Sequence, residues 1–450
     1  VATTGDTVMP LAARIGLVLL ALWAPSGPGA ASPPTNLIIA TVDNGHMQTL
    51  QTLSREFENA HPDVRLRWVT LPEAELRRAV HSDLQTQARQ FDLVTIGMYE
   101  TPVFARRGWL QPIRSPSGNH HQDLIDNIRE GLSHRGALYA TPFYGESSML
   151  YYRKDLFAKA GLKMPARPTW SEVTRFAAQL HDPQGEVHGI CLRGKPGWGE
   201  NMTLVATMVN AFGGQWFDMQ WHPQLQTPAW REAVSLYVDL LRRHGPPDAV
   251  ERGYNGNLEL FNKGHCALWV DATVAAGFIS DPKLNPRAAH VGFAPAPVAV
   301  THKGSHWLWA WAFAVPSHID KARAEKAQTF AAWATSREYV RLVAATHGWG
   351  LVPAGSRQST YAEPAFQRVA PWAKHELEAI RSADPRDATL NPSPYLGVQF
   401  AAIPEFAPIG DAVGRAIADA VNGRTSIDSA LARGQSIANR FMASRDSRAP

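Results

Sequence analysis

The chain has 450 residues, of which 45% are hydrophobic and 19% charged, values of a globular protein too long for one ordinary core. Its net charge is +4 and its pI about 9.0, yet no Lys/Arg block reads as a nucleic-acid patch, so no nucleic-acid partner is expected. Trp is over-represented, with 15 residues, and Trp concentrates in cores and binding clefts.

The N-terminus reads as an export signal. Arg14 supplies the positive start and Ile15–Ala24 an apolar run too short to span a bilayer. Gly29-Ala30-Ala31 offers small residues for cleavage, so residues 1–31 are expected to be removed and the protein to be periplasmic. Leu37–Val42 is then a continuous apolar strand. Met47, Leu50, Leu53 and Phe57 recur at helical spacing, predicting a helix over 46–60. Pro62 stops it, Val64–Val69 alternates as a strand, a helix covers 74–88, and Phe91–Ile96 is another buried strand. This βαβαβ order predicts a mostly parallel sheet flanked by helices, with ligands at the carboxyl ends of its strands. Those ends carry Asp43, Asn44, Tyr99 and Glu100.

Between the apolar segments Ala137–Tyr139 and Met149–Tyr152 lies a polar knot, Tyr144-Gly145-Glu146-Ser147-Ser148. Polar groups between buried strands must be paired by protein or left for a ligand. Thr169-Trp170-Ser171-Glu172 is a capping box for a helix to about Leu180. The segment Gly189–Lys195 approaches a phosphate-binding loop, but Pro196 stands where Ser or Thr must hold magnesium, so that reading is rejected. Arg193 and Trp198 remain cleft candidates. Thr227-Pro228 opens a helix to about Arg243, and the strand Ala267–Val270 leads directly into Asp271. Val291–Val298 reads as a strand. Trp307, Trp309 and Trp311 alternate, which places all three on one face of a strand. Helices are expected from Asp320 to Thr346 and from Asp411 to Ala443.

Only Cys191 and Cys266 occur, and they fit either a disulfide in an oxidising compartment or two buried thiols. Neither HExxH nor GxSxG is present, and no metal site or cofactor is expected.

Residues 36–360 resemble extracellular solute-binding proteins of the family-1 sugar-binding type, which serve ABC importers, and within them the branch that binds polyols such as mannitol and sorbitol. The resemblance rests on Phe91–Gly97 with Tyr99 and Glu100, Leu138–Ser148, Pro168–Glu172, Gly189–Lys195, Gly197–Asn201, Trp269–Thr273, Trp307–Trp311 and Gly348–Gly350. It implies two α/β lobes with the ligand cleft between them: 36–143 with 272–315, and 144–271 with 316–445. It also implies a monomer that hands a polyol or sugar to membrane permease subunits. Ligand contacts are expected from Asp43, Asn44, Tyr99, Glu100, Glu146, Arg193, Trp198, Asp271, Trp307 and Trp309. Asp43 departs from the Asn common in that branch, exchanging an amide for an acceptor-only carboxylate. The alternative is a secreted carbohydrate-active enzyme with Glu146 and Asp271 as its acid/base pair.

Overall fold

A computed structural model describes residues 33–114 and 121–446, so the expected export signal lies outside the described residues. In chain order the strands are β1 (Thr35–Val42), β2 (Val64–Leu71), β3 (Leu93–Ile96), β4 (Ser133–His134), β5 (Ala137–Leu138), β6 (Thr141–Glu146), β7 (Ser148–Arg153), β8 (His188–Cys191), β9 (Cys266–Ala272), β10 (Val291–Pro295) and β11 (Trp309–Ala314). They form a five-stranded sheet, β2-β1-β3-β11-β6, a four-stranded sheet, β10-β7-β9-β8, and the small β4–β5 pair.

In each large sheet one strand opposes the rest. β11 runs antiparallel to both β3 and β6, and β7 to both β9 and β10, while β1 is parallel to β2 and β3, and β8 to β9. The opening βαβαβ unit forms as its periodicity predicts. Helix α1 (Gly45–Ala60) buries Met47, Leu50, Leu53 and Phe57. Helix α2 (Glu73–Thr86) buries Leu76, Val80 and Leu84. Thr169 and Glu172 close the expected capping box reciprocally.

The polar knot falls where the chain passes between sheets. β6 ends at Glu146, Ser147 intervenes, and β7 begins at Ser148. The segment after β9 pairs with this passage: Ser147 N donates to Thr273 Oγ1 at 3.1 Å, and Thr273 N donates to Ser147 O at 2.8 Å. The chain returns to the five-stranded sheet before β11, where Ser148 Oγ donates to Ser305 O and accepts from Trp307 N.

Several boundaries differ from expectation. Val291–Pro295 pairs with β7 and so belongs to the four-stranded sheet, although 272–315 was expected in the first lobe. Residues 144–146 belong to the five-stranded sheet rather than to the second lobe. The helix Lys321–Ala334 packs on β1 and β6, so part of 316–445 also sits with the first sheet. These placements are made by strand partners distant in sequence. Pro142 lies within β6. The pairing there jumps from Trp311–Tyr144 to Ala312–Pro142, leaving Phe143 as an extra residue in a bulge that accommodates a residue without an N–H.

Candidate functional site

The cleft between the sheets encloses a cavity of about 290 Å³. Strand ends build it. Val42, Asp43 and Asn44 follow β1, Tyr144 and Glu146 close β6, Arg193 follows β8, and Trp307 and Trp309 enter β11, whose reversed direction brings its start to the same edge. Tyr254, the first residue of the helix Tyr254–Lys263, completes the second-lobe wall.

Seven expected residues line this cavity: Asp43, Asn44, Glu146, Arg193, Trp198, Trp307 and Trp309. Three do not. Asp271 is completely buried behind Arg193 and all its bonds go to protein. Its carboxylate takes Arg193 Nε at 3.0 and 3.1 Å and Nη2 at 2.6 Å, Trp269 Nε1 at 3.0 Å and Ala272 N at 2.7 Å. It therefore orients the guanidinium instead of facing a ligand. Glu100 accepts from Gly97 N and pairs with Arg77, and Tyr99 donates to Ile403 O and accepts from Ala407 N. Both line a neighbouring recess, where burial raises the Tyr99 phenol to about 12. Position at a strand end was visible in sequence, but the partner that consumes each side chain was not.

Glu73, Arg77, Tyr144, Lys195, Glu200, Tyr254 and Asn255 line the cavity although the sequence did not single them out as ligand contacts. Tyr144 was legible, since it opens the polar knot. Glu73 and Arg77 had no signal: on sequence they are the exposed first turn of an ordinary helix. In the fold Arg77 lies 3.9 Å from the Trp198 ring centre, 4.9 Å from Trp309 and 5.1 Å from Trp311, while pairing with Glu73 and Glu100. The three alternating Trp thus divide. Trp307 precedes the strand and lines the cavity, Trp309 lines it from the strand start, and Trp311 faces Arg77.

The cavity presents polar atoms without protein partners. Trp307 Nε1, Tyr254 Oη and Glu200 Oε2 are buried and unpaired among the described residues. No described residue donates to the Glu146 carboxylate. Burial raises Glu146 to about 8, with Arg193 opposing the shift, and burial with nearby Glu73 raises Glu200 to about 7. Asn44 has committed partners: its Oδ1 caps α1 through Met47 N and its Nδ2 donates to Tyr144 Oη. The arrangement can accept and donate hydrogen bonds around a small apolar-faced molecule, with Trp rings for its C–H surface. Among the described residues no group of His, Cys, Asp and Glu could hold a metal ion.

The bacterial extracellular solute-binding protein family matches residues 43–341. The chain belongs to that family. This solute-binding protein is 48% identical over 416 residues, 92% of its length and 95% of the relative's, to the mannitol-binding protein of Pseudomonas aeruginosa. It superposes on an ABC transporter solute-binding protein of Agrobacterium vitis solved with bound D-mannitol, with a TM-score of 0.89, 47% identity, and coverage of 91% and 99% of the two chains. A ribitol complex from Agrobacterium radiobacter, at 23% identity and a TM-score of 0.81 over 91% and 99% of the two chains, shares the fold. The solute-binding protein is thus a two-lobed component of an ABC import system and not an enzyme, which removes the Glu146/Asp271 acid/base alternative. Full engagement of Asp271 with Arg193 agrees with that.

Proposed function

We propose that the protein captures a hexitol, mannitol- or sorbitol-like, in the periplasm and delivers it as a monomer to the permease subunits of an ABC importer, after cleavage of its export signal near Ala31. The observation that carries the ligand class is the lining itself. Unpaired acceptors on Glu146 and Glu200 and unpaired donors on Trp307 and Tyr254 surround a space at the small end of the roughly 300–1,000 Å³ range of ligand sites. A polyol offers a hydroxyl on each carbon, and each hydroxyl both donates and accepts. The mannitol named for the Pseudomonas and Agrobacterium relatives supports the same reading. Asp43, Asn44, Glu146, Arg193, Trp198, Trp307 and Trp309 are the proposed contacts, with at least one Trp on the ligand's C–H face.

A thermal-shift screen over hexitols, pentitols and monosaccharides tests the ligand class, because ligand binding to the native state raises the melting temperature. Hexitols are expected to give the largest shift; a hexose shifting it further than every polyol would reject the assignment. Titration with the binding hexitol should also change the Trp fluorescence.

A further inference from the structure

With every carboxyl ionised, the cavity wall carries more negative than positive charge. Asp43, Glu73, Glu146, Glu200 and Glu251 line it against Arg77, Arg193 and Lys195. Those cations are engaged already: Arg77 with Glu73 and Glu100, Arg193 with Asp271, and Lys195 Nζ 3.6 Å from Glu200 Oε1. The carboxylates keep free capacity, since Glu200 Oε2 is buried without a partner and Glu146 receives no hydrogen bond from the described residues. Closure concentrates the charge. Glu73 comes from α2 of the first lobe and Glu200 from the second. Glu73 Oε1 approaches so near Gly199 that a Cβ there would stand 1.8 Å from it, so the absent side chain at 199 admits the carboxylate. A neutral polyol brings hydroxyl donors to these acceptors. A carboxylate on the ligand would bring a further negative charge to a partly buried set; of the three cavity cations, Arg77 and Arg193 are held by carboxylates at hydrogen-bond distance and Lys195 stands beside Glu200.

We propose that Glu73, Glu146 and Glu200 form a charge filter on the polyol site, admitting neutral polyols and cationic amino-polyols and refusing sugar acids of the same length. This rests on the polyol reading above and deepens it. Glu146 faces Arg193, Asp271, Glu73 and Glu376, with Tyr144 and Tyr254 beside it; Glu200 faces Glu73, Arg193, Lys195 and Asp271. Nearby His46 is neutral, since burial lowers it to about 4. Because Glu146 and Glu200 titrate at about 8 and about 7, the filter strengthens as pH rises.

The test is calorimetric titration of the full protein with matched sets: a hexitol, its aldonate and its 1-amino-1-deoxy analogue, with the same three forms of a pentitol and of a hexose. At pH 9 the neutral hexitol should bind at least about tenfold more tightly than the aldonate, with a smaller ratio at pH 6. At pH 7.5 the amine should match or exceed the neutral form. The double variant Glu146→Gln/Glu200→Gln should shrink the neutral-to-anionic ratio at pH 9. An aldonate that binds like its neutral partner at pH 9, or a ratio that does not grow with pH, overturns the filter. The wild-type pH series decides this even if the double variant does not fold. Binding of a neutral hexose but no polyol would defeat the polyol reading while the hexose set still scores the filter. No binding by any neutral form would overturn both.

Discussion

At the level of single residues, Asp271 and Glu376 place carboxyl groups where water does not reach. Asp271 is fully buried and clamps Arg193 through three contacts. Asp271→Ala would leave the Arg193 guanidinium buried without its counter-ion. The expected result is a loss of roughly 3–5 kcal/mol in the stability of the ligand-free protein, read from denaturant unfolding, together with weaker polyol binding. Unchanged stability with lost binding would instead make Asp271 a direct ligand contact. Glu376 is buried, accepting from Tyr361 Oη at 2.7 Å. Burial raises it from 4.5 to about 7. The folded state therefore holds this proton in a window where the unfolded state has released it, and the contribution of Glu376 to stability falls as pH rises from about 4.5 through about 7. Glu376→Gln should remove that slope and stabilise the protein at pH 8 by about 3 kcal/mol relative to wild type. Parallel melting curves at pH 5 and pH 8 check it; equal pH slopes in both proteins would contradict the assignment.

Among the elements, the parallel pair β8–β9 holds the second-lobe wall in register. Cys191 and Cys266 are joined by a disulfide across it, with Cα atoms 5.8 Å apart and a sequence separation of 75. Arg193 follows β8 by two residues and Asp271 lies near the end of β9, so the bridge ties together the two strands that present the clamp. In the chain-entropy account, closing a loop of this length stabilises by about 4 kcal/mol. Cys191→Ser/Cys266→Ser should lower stability by up to that amount while the folded fraction still binds polyol. Unfolding with and without reductant on the wild-type protein gives the same comparison without a mutation.

For the molecule as a whole, the two lobes meet across the cavity through contacts that exist only when they are close. Arg77 of α2 covers Trp198, Tyr99 reaches Ile403 and Ala407, and Asn255 Nδ2 donates to Asp43 O at 3.0 Å. Asn255 is exposed and its side chain serves no other described contact, so it reports on closure with little effect on either lobe. Asn255→Ala should weaken polyol binding by roughly fivefold, about 1 kcal/mol, chiefly through faster release, with ligand-free stability within about 0.5 kcal/mol of wild type. Stopped-flow fluorescence separates the two rates. A change confined to the association rate would count against the bond as a closure contact.

Features that depend on local pattern are legible in the order of residues alone. Helical spacing in Gly45–Ala60, the capping box at Thr169 and Glu172, and the run of apolar strands were all readable because period and capping are properties of neighbouring residues. The polar knot at Tyr144–Ser148 was readable for a related reason: charge and hydroxyls between buried strands need a purpose, and the knot lies where β6 passes into β7. Which sheet claims β10, and which polar groups remain free, is settled by contacts across the fold. Asp271 and Glu146 look alike in sequence, each a carboxylate at the end of an apolar strand. Arg193, Trp269 and Ala272 saturate the first, while the second receives no bond from the described residues. Glu73 and Arg77 read as the solvated start of a helix until Trp198 and Gly199, remote in sequence, close over them. A side chain's availability to a ligand depends on what the rest of the chain leaves unpaired, and that is fixed by contacts across long sequence separations.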